Sequence, residues 1–175
     1  VLFRTLKSRL FPDKQCEQPC GLGYGLVICG GLTLYWIAPW LLMAGHVHAP
    51  AWYLGLCVAL YAFGVFLHFT SDMQKHMALM LRPGALFTGG LWRYCRNPNY
   101  LGELLIYLGF GLLAMHWLPI AVIALFLAVI WVPNMLRKDR SLSRYADFPA
   151  WRAHSWLLIR SEERRVGKEC RSRWS

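Results

Sequence analysis

Apolar residues run through this chain in two unbroken stretches, and the polar positions between them set its organisation. From Gln18 to Ser71 no Asp, Glu, Lys or Arg occurs in 54 residues, and from Leu104 to Leu136 none occurs in 33. Neither stretch offers the polar face that a helix or strand of a water-soluble domain needs. A membrane-crossing helix takes about 20 mostly apolar residues. The first stretch has room for two, near Gly21–Met43 and Ala51–Thr70, separated at Ala44-Gly-His-Val-His-Ala-Pro50. The second, with Leu101–Glu103 added, predicts a hairpin near Tyr100–Met115 and Leu118–Met135, turning at His116-Trp117-Leu118-Pro119. These arms are short, which implies tilt or partial burial in protein. The expected fold is all-α: a multi-pass transmembrane helical bundle with about four spans.

Composition agrees with the pattern. The chain is 57% hydrophobic and 16% charged over 175 residues, against about 45–50% and about 25% in soluble domains. A soluble enzyme, a secreted disulfide scaffold and a disordered basic tail are excluded. The ends read differently from the middle. Residue 1 is Val and no signal peptide precedes the first apolar run, so residues 1–20 read as the cytoplasmic N-terminal segment of a truncated chain. Residues 160–175 have no hydrophobic period, and Arg160–Cys170 is what a sequencing-adapter DNA encodes when translated, so this tail reads as non-native. The span 21–159 is then the membrane domain. Setting the tail aside removes six basic and three acidic residues and takes the net charge from +10 to +7.

That remaining charge is one-sided. In the four-span arrangement all thirteen Lys and Arg before residue 160 fall on one side of the membrane. The two turns on the other side carry none, while Trp36, Trp40, Trp52 and Trp117 lie near that boundary. This is the positive-inside pattern with an aromatic belt. It implies an integral, multi-pass membrane protein with its basic end in the cytoplasm and the lipid bilayer as partner. It explains the basic excess without nucleic acid, for which no soluble basic domain exists.

The basic side carries the candidate chemistry. Ser71-Asp72 lies at the exit of the second span. Arg82-Pro-Gly84 is followed by Gly89-Gly90-Leu-Trp92-x-Tyr94-x-Arg96-Asn-Pro98-Asn99-Tyr100-x-Gly102-Glu103, and Arg137-Lys-Asp-Arg140 with Arg144-Tyr145 follows the last span. Glu103 stands at the mouth of an apolar hairpin, where an ionisable group costs several kcal/mol unless paired or facing a polar cavity. It is a functional candidate, or else it snorkels to the interface or pairs with Arg93 or Arg96. Pro98 suits a helix start, and Asn99 can cap that helix or donate its amide to a ligand. An anionic ligand would meet the helix N-terminus and Arg96 together. Arg137 and Arg140 can present guanidinium forks to phosphates or simply anchor the last span. Arg144 and Lys138 fit the anchoring role better.

Other features are weaker. Cys16-x3-Cys20 lacks a second ligand pair, and His46-x-His48 stands alone, so no metal site is expected. Cys29 and Cys57 behave as small hydrophobes, and no disulfide framework is implied. The glycines of Gly21-x-Gly-x-Gly25 precede no βαβ unit and serve helix packing.

From about Phe69 to Ile159 these segments resemble the steroid 5α-reductase superfamily, notably its bacterial DUF1295-like members and the sterol C14-reductases. The likeness rests on Ser71-Asp72, Arg82-Pro-Gly84, Gly89-Gly90-Leu-Trp92-x-Tyr94, Asn99-Tyr100-Leu-Gly102-Glu103, Leu118-Pro119 and Arg140 through Asp147-Phe148-Pro149. It implies an NADPH-dependent membrane reductase acting on the C=C bond of a steroid or other hydrophobic enone. It also implies a cytoplasmic cofactor pocket. On this resemblance Asp72, Asn99 and Glu103 belong to the NADPH site, with Arg96 and Tyr100 beside them, and Arg137 and Arg140 contact phosphates. His68 stands where the family has asparagine, and Leu142 where animal enzymes have tyrosine. The family's carbonyl-polarising residues lie N-terminal to anything present here, so the catalytic residues and the substrate stay open. The isoprenylcysteine carboxyl methyltransferases, which use S-adenosylmethionine, share a related core. They usually carry His where this chain has Asn97, and Asn99 with Glu103 favours reduction.

Overall fold

The computed structural model describes residues 21–158; residues 1–20 and 159–175, with Cys16, Cys20 and the adapter-like tail, lie outside the described residues. The chain is all-helical, with no strand among the described residues. Helix α1 spans Leu22–Leu34 and α2 Ile37–Ala44. The sequence predicts one span here, and the structure breaks it at Tyr35-Trp36. Pro39 supplies the reason: it has no N–H for the carbonyl of Tyr35 and its ring crowds that carbonyl. The turn closes instead with tighter bonds from Tyr35 N–H to Leu32 O and from Trp36 N–H to Thr33 O.

Helix α3, Ala51–Leu81, is 31 residues long, about 46 Å at 1.5 Å per residue. It runs eleven residues beyond the expected end at Thr70, so Asp72 lies within the helix and not at its exit. Helix α4, Pro98–Leu113, starts with Pro at its first position, and Asn97, not Asn99, occupies the boundary before it. Asn99 is therefore in the first turn and does not cap. The hairpin turn falls at Ala114–His116, with Met115 at φ 46°. His116 Nδ1 accepts from Leu118 N–H at 3.1 Å. Trp117-Leu118-Pro119 thus opens the next helix, where proline is tolerated. That helix is continuous from Trp117 to Leu142: α5 (Trp117–Phe126), a π-helical turn (Leu127–Trp131) and α6 (Val132–Leu142). A short α7, Phe148–His154, ends the described chain.

Two helices, Ala51–Leu81 and Trp117–Leu142, are long and apolar enough to cross a membrane, and only 28% and 22% of their most apolar windows are buried inside the molecule. A core helix of a soluble protein would be mostly covered. Trp36, Trp40, Trp52 and Trp117 are each more than three-fifths exposed, the placement that an interfacial belt requires.

Helices α3 and α4 meet along small residues. A Cβ on Gly102 would lie 2.5 Å from His68 N, and one on Gly64 2.7 Å from Gly102 O. Backbone touches backbone here, the close approach that glycine allows. Below this seam Trp92, Phe148 and Trp151 form a buried cluster. Trp92 Nε1 donates to Ser71 O at 3.1 Å, and Trp151 Nε1 donates to Trp92 O at 2.9 Å. The cluster thereby ties α7 to α3.

The last described residues run alongside Tyr94–Arg96. Arg96 N–H donates to Trp156 O at 2.7 Å and Trp156 N–H to Tyr94 O at 2.9 Å. Between these bonds the Cys95 thiol donates to Leu158 O at 3.1 Å, and burial pushes its pKa up. A raised pKa leaves less thiolate near neutral pH, and thiolate is the reactive form. Cys95 is therefore expected to alkylate slowly with iodoacetamide in the folded protein at pH 7–8 and at an ordinary thiol rate in denaturant. Peptide mapping by mass spectrometry would read both rates. Equal rates would show that the Trp156–Leu158 segment does not cover Cys95.

Candidate functional site

The site residues expected from sequence divide into two groups. Asp72, Asn99 and Glu103 gather where α3 meets the start of α4. His68 joins them: its Nδ1 lies 2.9 Å from Asn99 O. A carbonyl only accepts, so Nδ1 carries the hydrogen. The other ring nitrogen, Nε2, stands 3.8 Å from Asp72 Oδ2, one helical turn along α3. Asn99 Oδ1 is buried with no hydrogen-bond partner among the described residues. Glu103, one turn beyond Asn99, is partly buried and makes no ion pair or hydrogen bond among the described residues. Neither partner anticipated for it is available. Arg96 is held by Asp139, and Arg93 lies over the ring of Tyr94 at 5.5 Å.

Glu103 and His68 line one part of a cavity of about 510 Å³ between α2, α3, α4 and α5. The rest of its wall is mainly apolar and aromatic, including Tyr35, Trp36, Tyr61, Tyr107 and Phe110. Tyr35 stacks on Tyr107 with ring centroids 4.4 Å apart and on Phe126 at 4.8 Å. Tyr100 and Tyr107 both pack against Trp131 at 5.9 Å, beside the π-helical turn. Tyr100 is thus fixed by ring packing on the α4 surface that faces that turn.

The second group parts company with the first. Arg137 and Arg140 are exposed on α6, and their guanidinium groups make no ion pair among the described residues. Arg96 is not: its side chain is 8% exposed. Its Nε lies 3.1 Å from Asp139 Oδ2, and its NH1 donates to Ser155 O at 2.6 Å. The guanidinium expected to greet an anion at the helix start instead holds α6 and Ser155, just after α7, to the Tyr94–Asn97 segment.

Sequence reasoning passed over the residues around Arg96. Asn97 is fully buried, donating to Leu157 O at 3.1 Å and accepting from Lys138 Nζ at 2.8 Å. Lys138 also donates to Arg96 O at 3.1 Å and sits 4.3 Å over the ring of Trp92. Asp139 is 7% exposed. One signal was legible: Asp139 is the lone acid in Arg137-Lys-Asp-Arg140, and a lone acid in a basic run invites a buried cation. Another hollow, of about 460 Å³, lies between Ser143 and α7 and holds none of the expected site residues. Among the described residues no cluster of three or more His, Cys, Asp or Glu could hold a metal ion.

The fold and site together define an all-helical protein with two membrane-length apolar helices and a carboxylate facing an aromatic cavity. The chain belongs to a family described as a protein of unknown function, DUF1295, whose profile matches residues 28–145; that family is associated with steroid 5α-reductase-like proteins. No curated protein matches it. No solved structure does either.

Proposed function

We propose that this chain is an integral-membrane, NADPH-dependent reductase of a C=C bond in a steroid-like or other hydrophobic enone. Its four apolar segments would cross a bacterial inner membrane with the basic end in the cytoplasm. The observation that carries the reading is Glu103 lining a largely apolar cavity, with Asn99 one helical turn before it on α4. The donor set fits the cofactor at one telling atom: Asn99 Oδ1 is buried without a partner among the described residues, and a carboxamide or ribose hydroxyl would satisfy it. A buried acceptor left unmet costs about 1–3 kcal/mol.

Asp72, Asn99 and Glu103 would hold the ribose and carboxamide, with Tyr100 packed behind them. Arg137 and Arg140, exposed on α6, would take phosphates as guanidinium forks do. When bound, NADPH supplies the hydride. The chain's own share is to orient and to exclude water. His68, locked by Asn99 O, keeps α3 and α4 in register at the site, and the aromatic wall shields an enone from solvent. Arg96 acts at a distance, by fixing the segment from which α4 starts.

The test is binding. NADPH at a hundred times its dissociation constant would stabilise the protein in detergent by about 2.7 kcal/mol, read as a rise in unfolding temperature. Glu103→Ala should remove most of that rise. Stabilisation by S-adenosylmethionine and not by NADPH would transfer the reading to the methyltransferases. An NADPH effect untouched by Glu103→Ala would remove Glu103 from the site.

A further inference from the structure

The cavity beside Glu103 has a chemistry that neither transfer reaction requires. Its wall brings Tyr35, Trp36, Tyr61, Tyr107 and Phe110 around a hollow of about 510 Å³. That volume is within the range of small-molecule sites. One acidic side chain stands in that wall. Glu103 has no cation beside it among the described residues, because Arg96 is committed to Asp139 and Arg93 to Tyr94. Nor does His68 turn a nitrogen away from its neighbours, since one faces Asn99 O and the other Asp72. The hollow therefore pairs a carboxylate with several aromatic rings and supplies no counter-charge.

An unpaired carboxylate at membrane depth is costly. Aromatic faces attract cations, and rings combined with a carboxylate are the arrangement that recognises ammonium groups. An ammonium would pair with the carboxylate of Glu103 while its apolar body filled the rest of the space. We infer that this cavity is a receptor for an amphiphilic organic cation, an amine or quaternary ammonium carried on an apolar body, with Glu103 as counter-ion. The inference goes beyond the reductase reading. It concerns the chain without bound cofactor, since an ammonium ligand and the cofactor's ribose would compete for Glu103.

Dodecyltrimethylammonium, dodecanol and dodecanoate share one apolar body and differ in head charge, which makes them suitable probes. Binding of each, radiolabelled and below its micellar concentration, would be measured by equilibrium dialysis against the full chain in maltoside, with protein-free micelles as blank. The cation is expected to bind saturably and at least about tenfold tighter than the alcohol, the equivalent of about 1.4 kcal/mol, with the carboxylate weakest. Glu103→Gln should erase the advantage of the cation and leave dodecanol unchanged. Equal affinities for cation and alcohol in the unaltered protein would overturn the proposal, and that comparison stands even where the variant fails to fold. Retention of the preference in Glu103→Gln would overturn it equally. NADPH stabilisation measured on the same preparation separates the two ideas, since either can fail while the other holds.

Discussion

Gly102→Ala is expected to be among the most damaging single changes in this chain, although it adds one methyl group. The added Cβ would stand 2.5 Å from His68 N, 2.7 Å from Gly64 O and 2.9 Å from His68 Cα. All three are backbone atoms of α3, so no side chain can swing aside. The helices would have to separate, losing the seam that Gly64 and Gly109 extend. On Gly109 a Cβ would lie 2.9 Å from Cys57 O. Overpacking a core commonly costs about 1–3 kcal/mol; a clash of backbone with backbone puts this case at about 3 kcal/mol or more. Thermal unfolding in detergent should show a large drop. Gly55→Ala is the matched control, because nothing lies within 4 Å of its Cβ and alanine is the better helix former by up to about 1 kcal/mol. The same variant bears on the site. Separating α3 from α4 would break the contact of His68 with Asn99 O and so disturb ligand binding along with stability. If Gly102→Ala and Gly55→Ala unfold at the same temperature, these helices do not pack as described.

Asp139→Ala should be comparably severe for an electrostatic reason. It would leave the guanidinium of Arg96, 8% exposed, without its counter-charge. Removing one partner of a buried ion pair costs about 3–5 kcal/mol, since the survivor remains desolvated. The loss should respond little to added salt, because screening acts mainly on exposed charges. The double change Arg96→Met with Asp139→Leu should recover much of it, as replacing a buried pair by apolar groups often does. Chemical unfolding of the single and double variants would test this. A double variant no more stable than Asp139→Ala would show that the hydrogen bonds of the Arg96 side chain to Arg152 and Ser155 matter more than its charge. A harmless Asp139→Ala would mean that Arg96 reaches solvent.

Much of this protein was legible in its apolar runs. The helix beginning at Ala51, the hairpin arms near Tyr100–Met115 and Leu118–Met135 and the all-helical class follow from charge-free stretches bounded by Pro, Gly and basic residues. Helix ends were less legible. Asp72 lies inside α3 because nothing between Thr70 and Leu81 breaks a helix; the polarity of Ser71-Asp72 marks where the apolar character fades, not where hydrogen bonding stops. The break at Tyr35-Trp36 was visible only through Pro39, whose effect falls four residues earlier.

The site shows the same division. Glu103 stands out in sequence because a lone carboxylate at the head of 33 uncharged residues needs a reason. Arg96 stands out equally, yet its guanidinium turns inward. Sequence places charge along the chain but not the partner that meets it in space. Asp139 lies 43 positions away in the chain and reaches Arg96 because α6 returns beside the start of α4.

The sequence by itself determined the helical class, the candidate spans and the concentration of basic residues outside the apolar runs, because these depend on local composition and on the length of those runs. Only the tertiary structure decided which charges are shared and which stand alone. The glycine seam sets how closely α3 and α4 approach, and that approach brings Asn99 to His68. The return of α6 beside Tyr94–Asn97 turns Arg96 inward and leaves Glu103 facing an aromatic hollow with no counter-charge among the described residues.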